Sequence, residues 1–266
     1  MLENPRSPRV RAVAKLSKRS ARAETASFLL EGPQSVGEAL AYRPDTIVDL
    51  FATPSALEKH GELRTTAADV GVEITYVTEA VLEAMADTVT PQGVVAVARQ
   101  FPTSVRDVFG SAPRLVAICE EVRDPGNLGT IIRAADAVGA DAVVLTGRTV
   151  DPFHPKVVRA TTGSLFHVPL SLGGDLAEVI DRARAGGLQV IAADVKGDDL
   201  LAARAAGELA RPTAWLFGNE ARGLSDEAFA LADGALRLPI YGQAESLNLA
   251  TAASVCLYES AFAHRS

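Results

Sequence analysis

Cysteine is nearly absent: Cys119 and Cys256 are the only two among 266 residues, each inside an apolar run, LVAICEE and AASVCLYES. Thiols in such runs read as buried and inert, which sets aside a disulfide framework and a cysteine nucleophile. The four histidines are scattered with no metal-ligand spacing, so no structural or catalytic metal is expected. No uninterrupted apolar stretch approaches the roughly 18 residues of a membrane span, and the polar, basic N-terminus lacks the apolar core of a secretion signal. The expectation is a cytoplasmic protein with no membrane partner. Excess positive charge is missing too: the net charge is −7, against binding nucleic acid by overall charge alone.

What is present is an ordinary globular composition, 48% hydrophobic and 22% charged, long enough for two domains. Charge is uneven along it. The stretch RSPRVRAVAKLSKRSARAE gathers Arg6, Arg9, Arg11, Lys15, Lys18, Arg19 and Arg22 on a helical segment. It is either a solvated face or a local contact for a polyanion. Over residues 1–101, FLLEG, TIVDLFAT, VEITYV and GVVAVAR read as strands, and QSVGEALAY and EAVLEAMAD as helices. Residues 102–113, with proline and serine and no clear period, read as a linker. From 114 to 266 more hydrophobic strands follow: LVAIC, DAVVLT, FHVPL, LQVIAAD, TAWLFG and ALRLPI. Near-continuous apolar strands alternating with helices predict an α/β fold with a parallel sheet covered on both faces. Ligands of such sheets bind beyond the carboxyl ends of the strands.

Three motifs follow strands. In EEVRDPGNLGTIIRAADAVGA, Asn127 suits a helix N-cap, Leu128, Ile131, Ile132, Ala135 and Val138 form one stripe, and Gly139 is the stop. Arg133 points away from the stripe, with Asp136 within pairing distance in sequence. The GNLG spacing is not a dinucleotide fingerprint, which disfavours a nicotinamide oxidoreductase. In LFGNEARGLS, Gly218 permits a close backbone approach, Glu220 is a candidate acceptor, and Ser225 is a cap. In LRLPIYGQAESLNLATAASVCLYES, Ser246 reads as the N-cap of a helix of small residues, with Asn248 in its first turn.

Taken together and in this order, NLGTIIRAADAVGA, LFGNEARGLS and LPIYGQAESLNLATAASVCLYE resemble the three signature motifs of the SpoU/TrmH branch of SPOUT RNA methyltransferases, over about residues 113 to 262. The first part, with FLLEGPQSVGEAL, resembles the L30-like substrate-binding domain that often precedes it. The pairing is similar to ribosomal-RNA ribose methyltransferases of the thiostrepton-resistance type. The resemblance implies a parallel α/β domain with a deep trefoil knot, a homodimer, S-adenosyl-L-methionine as cofactor, and 2′-O-ribose methylation of RNA, ribosomal RNA first. Transfer RNA, base methylation and a non-catalytic ribosome-assembly role are the alternatives. By motif, Asn127, Arg133, Glu220, Ser246 and Asn248 match the catalytic positions. Leu216, Phe217, Gly218, Leu238, Ile240 and Leu247 match the cofactor pocket, with Thr146 and Gly147 as additions, and Arg9, Arg11, Lys15, Lys18 and Arg19 are the expected RNA contacts.

Overall fold

The computed structural model describes residues 1–265. The chain divides into two compact units, one of Met1–Phe101 with Asp151–His167, the other of Pro102–Val150 with Val168 onward.

In the first unit, β1 (Ser27–Glu31), β2 (Ile47–Ala52), β3 (Ile74–Tyr76) and β4 (Val94–Arg99) form a sheet in the order β1-β4-β2-β3. Only β2 and β3 are parallel in it. The helix Pro8–Ala14 starts where a Ser7 side chain caps it and Pro8 presets its first turn, and it buries Val10 and Val13. Those residues join Leu29, Phe51, Leu82, Met85 and Val95 in one core. Residues 151–167 belong to this unit because their apolar side chains pack there: Phe153 meets Phe28 at 4.8 Å between centroids, and Phe166 stacks on Phe101 at 5.6 Å. Arg22 is 1% exposed. Its guanidinium is satisfied by Asp151 at 2.7 Å and the carbonyls of Leu16 and Ser17.

The second unit holds a six-stranded, all-parallel sheet. Its strands are β5 (Leu115–Glu120), β6 (Ala142–Thr146), β7 (Leu170–Leu172), β8 (Gln189–Asp199), β9 (Thr213–Phe217) and β10 (Gly234–Arg237), in the order β10-β8-β9-β5-β6-β7. The parallel, doubly covered sheet is as expected: β6 and β9 are buried at every residue. The helices Pro125–Val138 and Leu249–Ala263 pack on each other, and Trp215 Nε1 of β9 donates to Ser260 Oγ at 2.9 Å, fixing the latter helix to the sheet. The strand order turns back at β5, so a crevice is expected where β5 and β9 end.

Local readings differ at four places. Residues 102–113, read as a linker, include the helix Val105–Gly110, capped by Ser104, with Val108 and Phe109 buried in the core of the second unit. In FHVPL the strand begins only at Leu170, because Phe166 closes a 3-10 turn, Ser164–Phe166. The N-cap of Pro125–Val138 is Asp124, not Asn127, since Asp followed by Pro at the first helical position makes the stronger start. Likewise Asn248, not Ser246, caps Leu249–Ala263.

Candidate active site

β5 and β9 are neighbours in register, with Cys119 opposite Phe217, so the loops that follow them lie side by side. The loop after β9 doubles back on itself through Asn219 N–H to the Gly223 carbonyl, 3.1 Å, and Gly223 N–H to the Asn219 carbonyl, 2.8 Å. Gly218 is where this is tightest: a Cβ there would lie 2.5 Å from the Gly223 carbonyl carbon, so no other residue fits. The Asn219 side chain accepts from the N–H groups of Ala221 and Arg222 and donates to the Glu121 carbonyl at 2.9 Å.

This arrangement aims Glu220 at the start of the helix Pro125–Val138. Its carboxylate accepts from Asp124 N–H at 2.9 Å, Arg123 N–H at 3.1 Å and Asn127 Nδ2 at 3.3 Å. Partial burial raises its pKa, but the hydrogen bonds from Asp124, Arg123 and Asn127 and its own backbone outweigh that and hold it below the usual glutamate value. A carboxylate at a helix N-terminus also meets the positive end of the helix dipole. Because Asp124 takes the capping role, the Asn127 side chain is left to bridge: its Oδ1 accepts from Asn248 Nδ2 at 2.9 Å. Asn248 Oδ1 in turn accepts from Thr251 N–H. One hydrogen-bonded chain, Glu220 to Asn127 to Asn248, therefore joins all three motifs.

Arg133 lies on the same helix, exposed, and among the described residues it makes no hydrogen bond or ion pair, so Asp136 does not hold it. Ser246 is exposed in the loop before Asn248 and joins no hydrogen bond of the chain just described. Leu216 and Phe217 are fully buried in β9, Leu238 is half-buried, and Ile240 and Leu247 are 37% and 43% exposed. Thr146 and Gly147 stand apart from these. Thr146 ends β6 and Gly147 follows it, on the other side of β5 from β9, and both lie against Glu120: a Cβ on Gly147 would lie 2.7 Å from Glu120 Oε1. Burial, with some relief from Thr146, raises the Glu120 pKa, and its Oε2 is buried without a hydrogen-bond partner. A cavity of about 330 Å³ is lined by Glu120, Glu121, Asn219, Arg222, Gly223, Leu224 and Ser225.

Two features lay outside the sequence reading. Glu121 has φ +53°, a left-handed backbone that costs a non-glycine residue about 1–2 kcal/mol. Arg222, which no motif role covered, donates to its carboxylate at 2.7 Å. The adjacent acidic and basic residues in the two loops were the visible signal, but nothing in the sequence marks a left-handed glutamate. Both cysteines are buried, with thiol pKa values pushed up to about 12 chiefly by burial, consistent with the inert reading.

The basic N-terminal residues divide. Arg9 pairs with Asp49 at 2.5 Å and lies over the Phe51 ring, and Arg22 is internal. Arg11, Lys15, Lys18 and Arg19 are exposed and form no ion pair among the described residues.

Comparison with known proteins gives these arrangements a family. Residues 114–258 match the SpoU rRNA Methylase family, and residues 7–96 match the MRM3-like substrate binding domain. The chain is 33% identical to the 23S rRNA (guanosine(2553)-2'-O)-methyltransferase RlmP of Bacillus subtilis, over 97% of each chain. It is 30% identical to the 23S rRNA (uridine(2479)-2'-O)-methyltransferase of Streptomyces viridochromogenes, over 93% of this chain and 86% of that one. The solved AdoMet-bound rRNA methyltransferase of Sinorhizobium meliloti superimposes with a TM-score of 0.82 at 32% identity, covering 97% and 96% of the two chains. A tRNA (guanosine(18)-2'-O)-methyltransferase of Thermus thermophilus matches only 56% of this chain and 74% of its own, at 39% identity. With its three motifs joined at one site and a family model matching more than half of its length, the chain belongs to the SpoU rRNA methylase family.

Proposed function

We infer that this protein is an S-adenosyl-L-methionine-dependent 2′-O-ribose methyltransferase acting on 23S ribosomal RNA. The observation that carries the reading is the hydrogen-bonded chain from Glu220 through Asn127 to Asn248, which links three motifs far apart in sequence. Ribosomal RNA is favoured over transfer RNA because the 23S rRNA enzymes match nearly the whole chain, including the first unit, and the transfer-RNA enzyme matches little more than half.

The residues suit the cofactor. At Gly218 the loop closes on its own backbone, which holds the end of β9 in place, and Ile240 and Leu247 expose apolar side chains that a purine would cover. Leu216, Phe217, Gly218, Leu238, Ile240 and Leu247 are assigned to hold it. When bound, the cofactor supplies the methyl group already activated on a sulfonium, which leaves positioning and proton removal to the protein. Arg133, exposed and uncommitted, is assigned to grip a phosphate beside the target ribose and to stabilise the alkoxide that develops on the 2′-oxygen. A guanidinium with a pKa above about 12 is a poor base, so clamping is its main role. Glu220 holds Asn127, Asn127 orients Asn248, and Ser246, free in its loop, hydrogen-bonds the target nucleotide.

Arg11, Lys15, Lys18 and Arg19 are assigned to RNA, Arg9 contributing less because Asp49 already neutralises it. The reading includes a knotted C-terminal segment and a homodimer. Val255, Tyr258 and Phe262, all exposed on the helix Leu249–Ala263, supply an apolar face for the second copy. Among the described residues no helix is long and apolar enough to cross a membrane, and a ribosomal substrate puts the reaction in the cytoplasm. Mapping 2′-O-methylation across ribosomal and transfer RNA from cells with and without the gene tests the reading. Loss of one methyl group on 23S rRNA is expected. Loss confined to transfer RNA, a missing base methyl, or no change at all would overturn it.

A further inference from the structure

Glu121 combines a left-handed backbone with a carboxylate that no step of the reaction uses. Glycine or asparagine occupies that region more readily than glutamate. Yet every polar group of Glu121 is engaged. Its N–H donates to the Thr146 carbonyl at 3.2 Å, its carbonyl accepts from Asn219 Nδ2 at 2.9 Å, and its carboxylate accepts from Arg222 Nη2 at 2.7 Å, with Arg123 at 3.4 Å. Asn219 and Arg222 flank Glu220, while the amides that hold the Glu220 carboxylate belong to Arg123 and Asp124, just after Glu121. The contacts thus close a ring: Glu121 to Arg123 and Asp124 along the chain, across to Glu220, on to Arg222, and back to Glu121.

We propose that Glu121, through its ion pair with Arg222, is a positioning residue for methyl transfer, fixing where the Glu220 carboxylate and therefore Asn127 and Asn248 stand. The inference rests on the reading of the site given above. Glu121 touches no reacting atom in it. Arg222 is 71% exposed, so the pair adds little to folding. Its effect falls on geometry, and a displacement of about 1 Å in a supporting group can lower a rate about 10²-fold.

The test compares the full-length native chain with Glu121→Gly, Arg222→Ala, the double variant and Glu220→Ala. Single-turnover methylation of a 23S rRNA fragment is measured alongside cofactor and RNA dissociation constants and thermal midpoints. Glu121→Gly and Arg222→Ala are each expected to lower the single-turnover rate about tenfold, the double variant no further, with both dissociation constants within about twofold of native. The Glu121→Gly midpoint is expected to be no lower than native, because glycine relieves the backbone strain. Rates within about twofold of native, or losses that add in the double variant, overturn the proposal. A loss accompanied by a lower midpoint or weaker binding also overturns it, because the role is then structural. Inactivity of the native chain on every RNA defeats the reading of the site and this inference together; a native chain that is active, with Glu220→Ala inactive and Glu121→Gly unimpaired, defeats this inference alone.

Discussion

Replacing Glu220 by glutamine keeps its shape and removes its charge. The carboxylate accepts two backbone N–H bonds, from Arg123 and Asp124, and one from Asn127. A hydrogen bond to a charged acceptor is worth about 1 kcal/mol more than its neutral counterpart, so the two backbone bonds lose about 2 kcal/mol in a buried setting. The helix N-terminus adds about 0.3–1 kcal/mol. Glu220 is exposed, however, and solvent screening reduces the expected loss of stability to about 1 kcal/mol, a midpoint about 2–4 °C lower. The larger effect is kinetic. A glutamine amide turned toward Asn127 Nδ2 presents a donor to a donor, which releases Asn127 and with it Asn248. Single-turnover methylation is expected to fall about 10²-fold, with cofactor affinity within about twofold of native. The pKa of Glu220 lies below its ordinary value of 4.5, so the stability it contributes is present above that value and disappears as pH falls through the lower folded value. The stability gap between native and variant should therefore be flat from roughly pH 6 to 9 and close in acid. A Glu220→Gln enzyme within about threefold of the native rate, or a stability gap that changes between roughly pH 6 and 9, would refute the reasoning.

Arg133→Ala should abolish methylation, a loss of about 10³-fold or more, while calorimetry finds cofactor binding within about twofold of native; equal losses in both would move Arg133 to the cofactor side. Neutralising Lys15, Lys18 and Arg19 together should weaken RNA binding uniformly and flatten the slope of log affinity against log salt by roughly 2 to 3, and an unchanged slope would mark these residues as a solvated face.

Much of this site was legible because strand and helix periods are local. The apolar runs of β5, β6 and β9 and the motifs behind them needed no tertiary knowledge to be placed at strand ends. Choices between neighbouring polar residues were less legible. Asn127 and Ser246 are both good caps in isolation, and they lose that role to Asp124 and Asn248, which frees Asn127 for the bridge that joins the motifs. The hydrophobicity of Phe153, Val157, Val158, Leu165 and Phe166 says only that they are buried, not in which core, so their place in the first unit was invisible until their ring contacts were seen. The left-handed turn at Glu121 runs against its residue type, and Gly147, after a strand as expected, stands on the other side of β5 from the Gly218 loop.

The buried pair of Arg22 and Asp151 has a consequence in time. Arg22 is synthesised 129 positions before the carboxylate that neutralises it. A ribosome adding about 5–20 residues per second leaves that guanidinium without its partner for roughly 6 to 26 s. During that interval the nascent chain has made the Met1–Phe101 part of the first unit but not the stretch that completes it, and residues 102–150 of the second unit emerge in between. The apolar core of the first unit, drawn from Val10 through Val97, is complete in sequence before Asp151 is made, so a nascent chain stalled near residue 101 would hold a closed core beside an unpaired internal cation.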